Sequence, residues 1–218
     1  GAPRVRLSTF DRFEPGVSRN VVGEVTGATH PDEYALVGGH MDSHDVAPGA
    51  VDNASGTTCV IETARLLALQ KGKLSRSVRF VTFGSEEVGL LGSYAYAERH
   101  AAEMSRARLM LNLDCLVMSR PKGIVSHFLP EGESYVATLR TQLNEPLPFT
   151  ERVHAHSDHF PFLLRGVPTA EIGGGMFNPG VKAFAHMAGD TPDKASEIDL
   201  REESALAARL LLRAANDP

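Results

Sequence analysis

YALVGGHMDS (34–43) is the stretch from which the rest of this chain can be read. Tyr34–Gly39 is a short apolar run closed by two glycines, the pattern of a buried strand, and His40 and Asp42 follow it at once. The arrangement recurs twice. VRFVTFGSEE (78–87) runs through the strand pattern Val78–Gly84 into Glu86 and Glu87, and RLMLNLD (108–114) runs through Arg108–Leu113 into Asp114. Side chains along such strands are buried, whereas the loops after them can carry chemistry. In open α/β sheets, ligands bind in the crevice beyond the carboxyl ends of the strands. GAVDNASG (49–56) and HMAGDT (186–191) bring Asp52, His186 and Asp190 into the same set.

Other elements alternate around these strands. Val5–Phe10 and Asn20–Val25 read as strands, and Ser55–Gln70 reads as a helix with Val60, Ile61, Ala64, Leu67 and Ala68 on one face. Tyr94–Ala102 is a short helix, Gly123–Phe128 a further strand, and Glu133–Asn144 a helix that stops before Pro146. Asp158–Arg165 is a short helix and Val167–Ile172 a strand. Asp199 with Glu202 resembles a capping box for a last helix, whose stripe is Leu206, Leu210, Leu211 and Ala214. Strands alternating with helices imply an α/β fold: a three-layer αβα sandwich around a mixed, mainly parallel sheet. Glycine-rich loops at Gly173–Gly175, Gly180 and Gly189 are expected near the site. No repeat, low-complexity tract or linker divides residues 1–218, which read as one domain.

Composition narrows the function classes. Apolar residues at 42% and charged residues at 22% are an ordinary globular balance. A net charge of −5 without a basic run argues against nucleic acid and anionic membranes as partners. No apolar stretch approaches the ~20 residues that span a bilayer, and no signal peptide opens the chain. Cys59 and Cys115 read as small buried residues. Two cysteines supply neither a disulfide framework nor a CxxC zinc site.

The polar residues at the strand ends form a metal-ligand set. Asp42, two residues from His40, is placed to orient that imidazole, as metal-bound histidines usually require of a neighbour. Asp52 lies in a loop with glycine at both ends, where backbone can approach an ion closely. Adjacent Glu86 and Glu87 repel each other unless cations or water intervene. One can ligate while the other acts as general base. Asp114 would be a costly charge at the end of an apolar strand without a partner. His40, Asp52, Glu87, Asp114 and His186 together supply two imidazoles and three carboxylates. If Asp52 bridges, two ions can sit about 3.5–4 Å apart, each with three protein ligands and an open position. Nitrogen-plus-carboxylate ligation suits Zn²⁺, with Co²⁺ or Mn²⁺ as substitutes.

In order and spacing, these motifs resemble the co-catalytic dizinc aminopeptidases of the leucyl-aminopeptidase type. That superfamily also contains glutamate carboxypeptidases, glutaminyl cyclases and the transferrin-receptor ectodomain. The likeness runs from about Asn20 to Leu212. It implies a zinc-peptidase fold with one Zn²⁺ on His40, Asp52 and Asp114 and the other on Asp52, Glu87 and His186. It also implies Glu86 as general base, Asp42 orienting His40, Asp190 supporting His186, and a cis Asp52–Asn53 peptide. SDHFPF (157–162) matches a segment beside the substrate cleft. The implied activity is hydrolysis of N-terminal, leucyl-type residues from peptides. A secreted or periplasmic location is expected on the same ground alone.

Two departures stand out. Many relatives carry Tyr directly before the last histidine, where this chain has Ala185, so the donor to the oxyanion is unassigned. RFEPGVSRNVVGEV (12–25) resembles the segment that follows an inserted protease-associated domain, so a trimmed chain and a compact enzyme both fit. His154, His156 and His159 read as polar surface, with pocket lining or an added metal as alternatives. His44 reads as a cleft wall, and His30, His100 and His127 as surface. A carboxypeptidase or dipeptidase is the alternative activity; it calls for an arginine to clamp a carboxylate, for which Arg120, Arg152 and Arg165 are available. The absence of Trp argues against a glutaminyl cyclase, and the intact ligand set argues against a receptor that has lost its metals.

Overall fold

Alternation along the central strands fixes which side chains face which helices. In β2 (His30–His40), Ala35 and Val37 enter one apolar cluster while Tyr34 and Leu36 enter another on the opposite face. In β3 (Arg76–Phe83), Val78 and Phe80 divide from Val81 and Phe83 in the same way. Both faces of the sheet are therefore covered, as parallel strands demand. The computed structural model describes residues 3–10, 12, 14–116, 122–127, 134–173 and 184–218.

The remaining strands are β1 (Val21–Val25), β4 (Ala107–Leu113), β5 (Gly123–His127), β6 (Phe149–Glu151) and β7 (Thr169–Gly173). Their order is β1-β3-β2-β4-β7-β5-β6. The run β3-β2-β4-β7 is parallel, β1 and β5 are antiparallel to their neighbours β3 and β7, and β6 runs parallel to β5. On one face lie α1 (Gly56–Ala68), α3 (Tyr135–Gln142) and α5 (Glu197–Asn216). On the other lie α2 (Leu91–Arg99) and the single turn α4 (Phe160–Leu163), whose Tyr96 and Phe162 pack on Phe83. The fold is the expected αβα sandwich around a mixed sheet. Among the described residues, no helix is long and apolar enough to cross a membrane.

Several local expectations need correction. Val5–Phe10 is exposed and forms no strand; its alternating pattern finds no partner strand among the described residues. The buried face of α1 is Gly56, Cys59, Val60, Thr63 and Leu67, while Ile61 is exposed. Small Cys59 and Thr63 let α5 approach, and both side chains reach its carbonyls, of Leu200 and Ser204. The three-residue β6 is too short to leave a strand pattern in the sequence. Phe128 and Glu133, the outer ends of two expected elements, lie outside the described residues, as do Gly174, Gly175 and Gly180. The two cysteines form no disulfide; Cys59 is buried and Cys115 half-buried.

The cap of α5 is Ser196 rather than Asp199: Ser196 Oγ accepts the Asp199 amide at 3.3 Å. Asp199 instead lies in the first turn, where a negative charge suits the helix N-terminus. Replacing Ser196 by Ala should cost about 1 kcal/mol in urea unfolding. An unchanged midpoint would show that this hydrogen bond does not stabilise the helix.

Candidate metal centre

Because β3, β2 and β4 are adjacent and parallel, their carboxyl ends open at one edge. His40 closes β2 and is 1% exposed. Its Nδ1 lies 3.1 Å from the Asp42 backbone carbonyl and 3.6 Å from that residue's carboxylate. With Nδ1–H donating to the carbonyl, the Nε2 lone pair faces the cleft. Nε2 stands 3.1 Å from Asp52 Oδ1 and 3.5 Å from Asp114 Oδ1. Asp42 thus meets the ring mainly through its backbone. Its carboxylate accepts the amides of Glu86 and Glu87, both at 3.1 Å, and so fixes the turn after β3.

Asp52 sits in the irregular turn Ala50–Ser55 that leads into α1, with a cis Asp52–Asn53 peptide. Its Oδ1 faces His40, and its Oδ2 lies 3.2 Å from His186 Nε2. Glu87 Oε2 reaches the same His186 nitrogen at 3.1 Å, while Glu87 Oε1 is buried with no hydrogen-bond partner among the described residues. His40, Asp52 and Asp114 form one group whose donor atoms lie within 4.8 Å of one another, and Asp52, Glu87 and His186 form a second. His40 with Glu86 and Glu87 meets the same distance. The two separately directed oxygens of Asp52 favour the first two groupings as a pair.

The backbone around Asp52 is pinned from three sides. Asp190, fully buried, accepts the amides of Val51 at 2.7 Å and Asp52 at 3.0 Å. It therefore holds the turn that carries Asp52 rather than supporting His186, as the resemblance implied. Nothing in its spacing from His186 could have revealed a partner 138 residues away. Asn53 Nδ2 donates to the Leu113 carbonyl at 2.9 Å, and its Oδ1 accepts the Gly56 amide at 2.9 Å. A Cβ at Gly39 or Gly56 would stand 2.5 or 2.1 Å from that same carbonyl, so glycine at both positions lets β2, α1 and the end of β4 close together. Ser157, of the SDHFPF segment, donates to Asp114 Oδ2 at 2.7 Å.

The electrostatics are those of a site short of positive charge. Burial pulls the His40 imidazole down, yet Asp114, Asp42 and Asp52 together hold it far above the ordinary histidine range. Burial pushes the Glu86 carboxyl up to about 8; His40 opposes the rise, and Asp114, Asp158 and Glu87 add to it. Glu87 is likewise raised, by burial and then by Asp52. Burial raises Asp158 to about 7. His40, Asp52, Glu86, Glu87, Asp114 and His186 all line one cleft, whose wall also includes Leu90, Cys115 and His156. The His44 ring stacks on His186 with centroids 5.0 Å apart. Two other expectations fail here: His127 and His159 are fully buried rather than surface residues.

The profile of Peptidase family M28 matches residues 20–211. The chain belongs to this family. Aminopeptidase YwaD of Bacillus subtilis is 31% identical over 209 residues, covering 87% of this chain and 43% of that protein. Aminopeptidase NAALADL1 of Rattus norvegicus is 38% identical over 120 residues, covering 53% of this chain and 16% of its own length. The solved structure of BSAP, a zinc aminopeptidase from Bacillus subtilis, superposes with a TM-score of 0.77 at 27% identity, over 91% of this chain and 50% of that one. The chain thus spans less than half the length of these curated relatives.

The position of Asp190 gives a test. Asp190→Ala strands two buried amides and frees the turn bearing Asp52, so zinc affinity should fall about 10–100-fold. Competition against a chromophoric chelator would measure this. Unchanged affinity would mean that Asp190 does not position the turn.

Proposed function

We propose that residues 1–218 form the catalytic domain of a dinuclear zinc exopeptidase that releases N-terminal, leucyl-type residues from peptides. The observation that carries this reading is the pair of Asp52 oxygens, one facing His40 at 3.1 Å and the other facing His186 at 3.2 Å. That is the disposition a bridging ligand needs. The buried Glu87 Oε1, without a hydrogen-bond partner among the described residues, and the excess of carboxylates over imidazoles also fit a cation-binding centre. The donors are nitrogen and oxygen only, a set that zinc accepts. His40, Asp52 and Asp114 would hold one ion, and Asp52, Glu87 and His186 the other.

Bound zinc supplies Lewis acidity toward the scissile carbonyl and acidifies the attacking water. Glu86 does the proton work. Burial pushes its carboxyl up to about 8, and nearby cations would lower that value and favour the ionised form that can accept a proton. It takes the water's proton as the carbonyl is attacked and returns it to the departing amine. Asp42 holds the turn bearing Glu86 and Glu87 through their amides, so the base keeps its place. Ala185 offers no side-chain donor to the oxyanion, whereas His156 lines the same cleft and carries a ring N–H. Leu90, Cys115 and Ala185 on the cleft wall support an apolar side chain at the substrate's N-terminal residue.

One observation keeps the carboxypeptidase or dipeptidase reading in view: Arg152 lines a cavity that also reaches Asp114 and Cys115. Of the other arginines named for that role, Arg165 donates to the Pro161 carbonyl, and Arg120 lies outside the described residues.

Zinc-loaded protein should hydrolyse leucyl-p-nitroanilide, and the chelated protein should not. Glu86→Gln should lower kcat by about 10²–10⁴-fold with zinc content unchanged. Equal turnover in that variant would exclude Glu86 as the base. Cleavage of N-acyl dipeptides with no cleavage of the anilide would favour the carboxypeptidase instead.

A further inference from the structure

Away from the cleft edge, a second group of ligand-type side chains converges. In the antiparallel pairing of β5 with β7, Val125 lies opposite Glu171 and His127 opposite Thr169, so His127 and Glu171 are diagonal neighbours on one face. The segment before α4 brings His154 and His159 over that face. Glu171 Oε2 lies 2.9 Å from His154 Nε2 and 3.4 Å from His127 Nε2, and its Oε1 lies 3.3 Å from His159 Nδ1. One donor atom from each of the four falls within 4.8 Å of the others. Ligand atoms at zinc-bond distance around a tetrahedral ion are about 3.3 Å apart.

We propose that His127, His154, His159 and Glu171 form a separate, closed zinc site that pins the segment carrying Ser157 to β5 and β7. Three further observations fit it. Both His127 ring nitrogens and His159 Nδ1 are buried and make no hydrogen bond among the described residues; Glu171 oxygens approach His127 Nε2 and His159 Nδ1 without forming one, which leaves lone pairs for an ion to occupy. His159 Nε2 lies 3.1 Å from the His154 carbonyl; donating there, it turns the Nδ1 lone pair inward. Asn112 Nδ2 donates to Glu171 Oε1 at 3.1 Å, the outer contact a ligating carboxylate needs. An ion can enter through the cavity lined by Arg152, His154, His156 and Glu171.

The cluster is joined to the proposed catalytic centre without sharing a ligand. Asn112 Nδ2 donates both to Glu171 and to Ser157 Oγ, the latter at 2.7 Å, and Ser157 donates to Asp114. An ion that holds Glu171 and His159 thereby steadies Ser157 and, through it, Asp114.

The test removes the first centre to expose the second. The full chain carrying Asp52→Asn and His186→Ala, stripped with chelator and dialysed against Zn²⁺, should retain about one zinc per chain by mass spectrometry. Adding His127→Gln should bring retention to background. Zinc-free protein from the double variant, with its circular dichroism intact, would overturn the proposal. So would equal zinc in the triple variant, and either result leaves the peptidase reading untouched. Should the double variant not fold, zinc-edge anomalous diffraction from wild-type crystals grown with Zn²⁺ decides the matter. A peak enclosed by the four side chains supports the site, and no peak there refutes it.

Discussion

His40 is almost fully buried and has the carboxylates of Asp42, Asp52 and Asp114 within 3.6 Å of its ring, with Glu86 and Glu87 lining the same cleft. Gathering so many like charges in a poorly hydrated place is unfavourable, because desolvation and mutual repulsion both penalise the ionised forms. The upward displacement of Glu86, Glu87 and Asp158 records that penalty. A fold that tolerates it needs either protons or cations at the site, and much of the surrounding structure keeps the carboxylates from moving apart.

The framework is mostly backbone. Asp42 and Asp190 each use a carboxylate to grip two consecutive amides, one pair in the turn after β3 and the other in the turn before α1. Asn53 ties that second turn to the end of β4, and Gly39 and Gly56 allow the close contact. The donor atoms facing the cleft are thereby positioned by contacts made outside it. Such an arrangement separates the residues that would hold ions from those that hold the residues, and Asp42 fixes the backbone that carries Glu86, the base we propose.

What could be read from the chain followed from local pattern. Apolar runs ending in His40, Glu86–Glu87 and Asp114 were visible because a parallel sheet places strand ends together, so order along the sequence already implied one edge. Long-range pairings had no such signature. Asp190 looked like a companion of nearby His186, yet its partners are amides at Val51 and Asp52. His127 looked like surface because its place beside Glu171 depends on the antiparallel turn of β5 against β7. Val5–Phe10 has strand-like alternation without a strand to pair with among the described residues. The buried face of α1 departs from its apolar pattern because Ile61 is apolar but exposed, while Thr63 is polar but buried.

The most direct test of the charge argument is thermal unfolding of the chelated chain with and without Zn²⁺, in a His127→Gln background so that only the Asp52 centre responds. If the converging carboxylates form a cation site, zinc at a thousandfold excess over Kd should stabilise the fold by about 4 kcal/mol and raise Tm by about 10 °C. An unchanged or lowered Tm would contradict the idea that these carboxylates are assembled to hold cations.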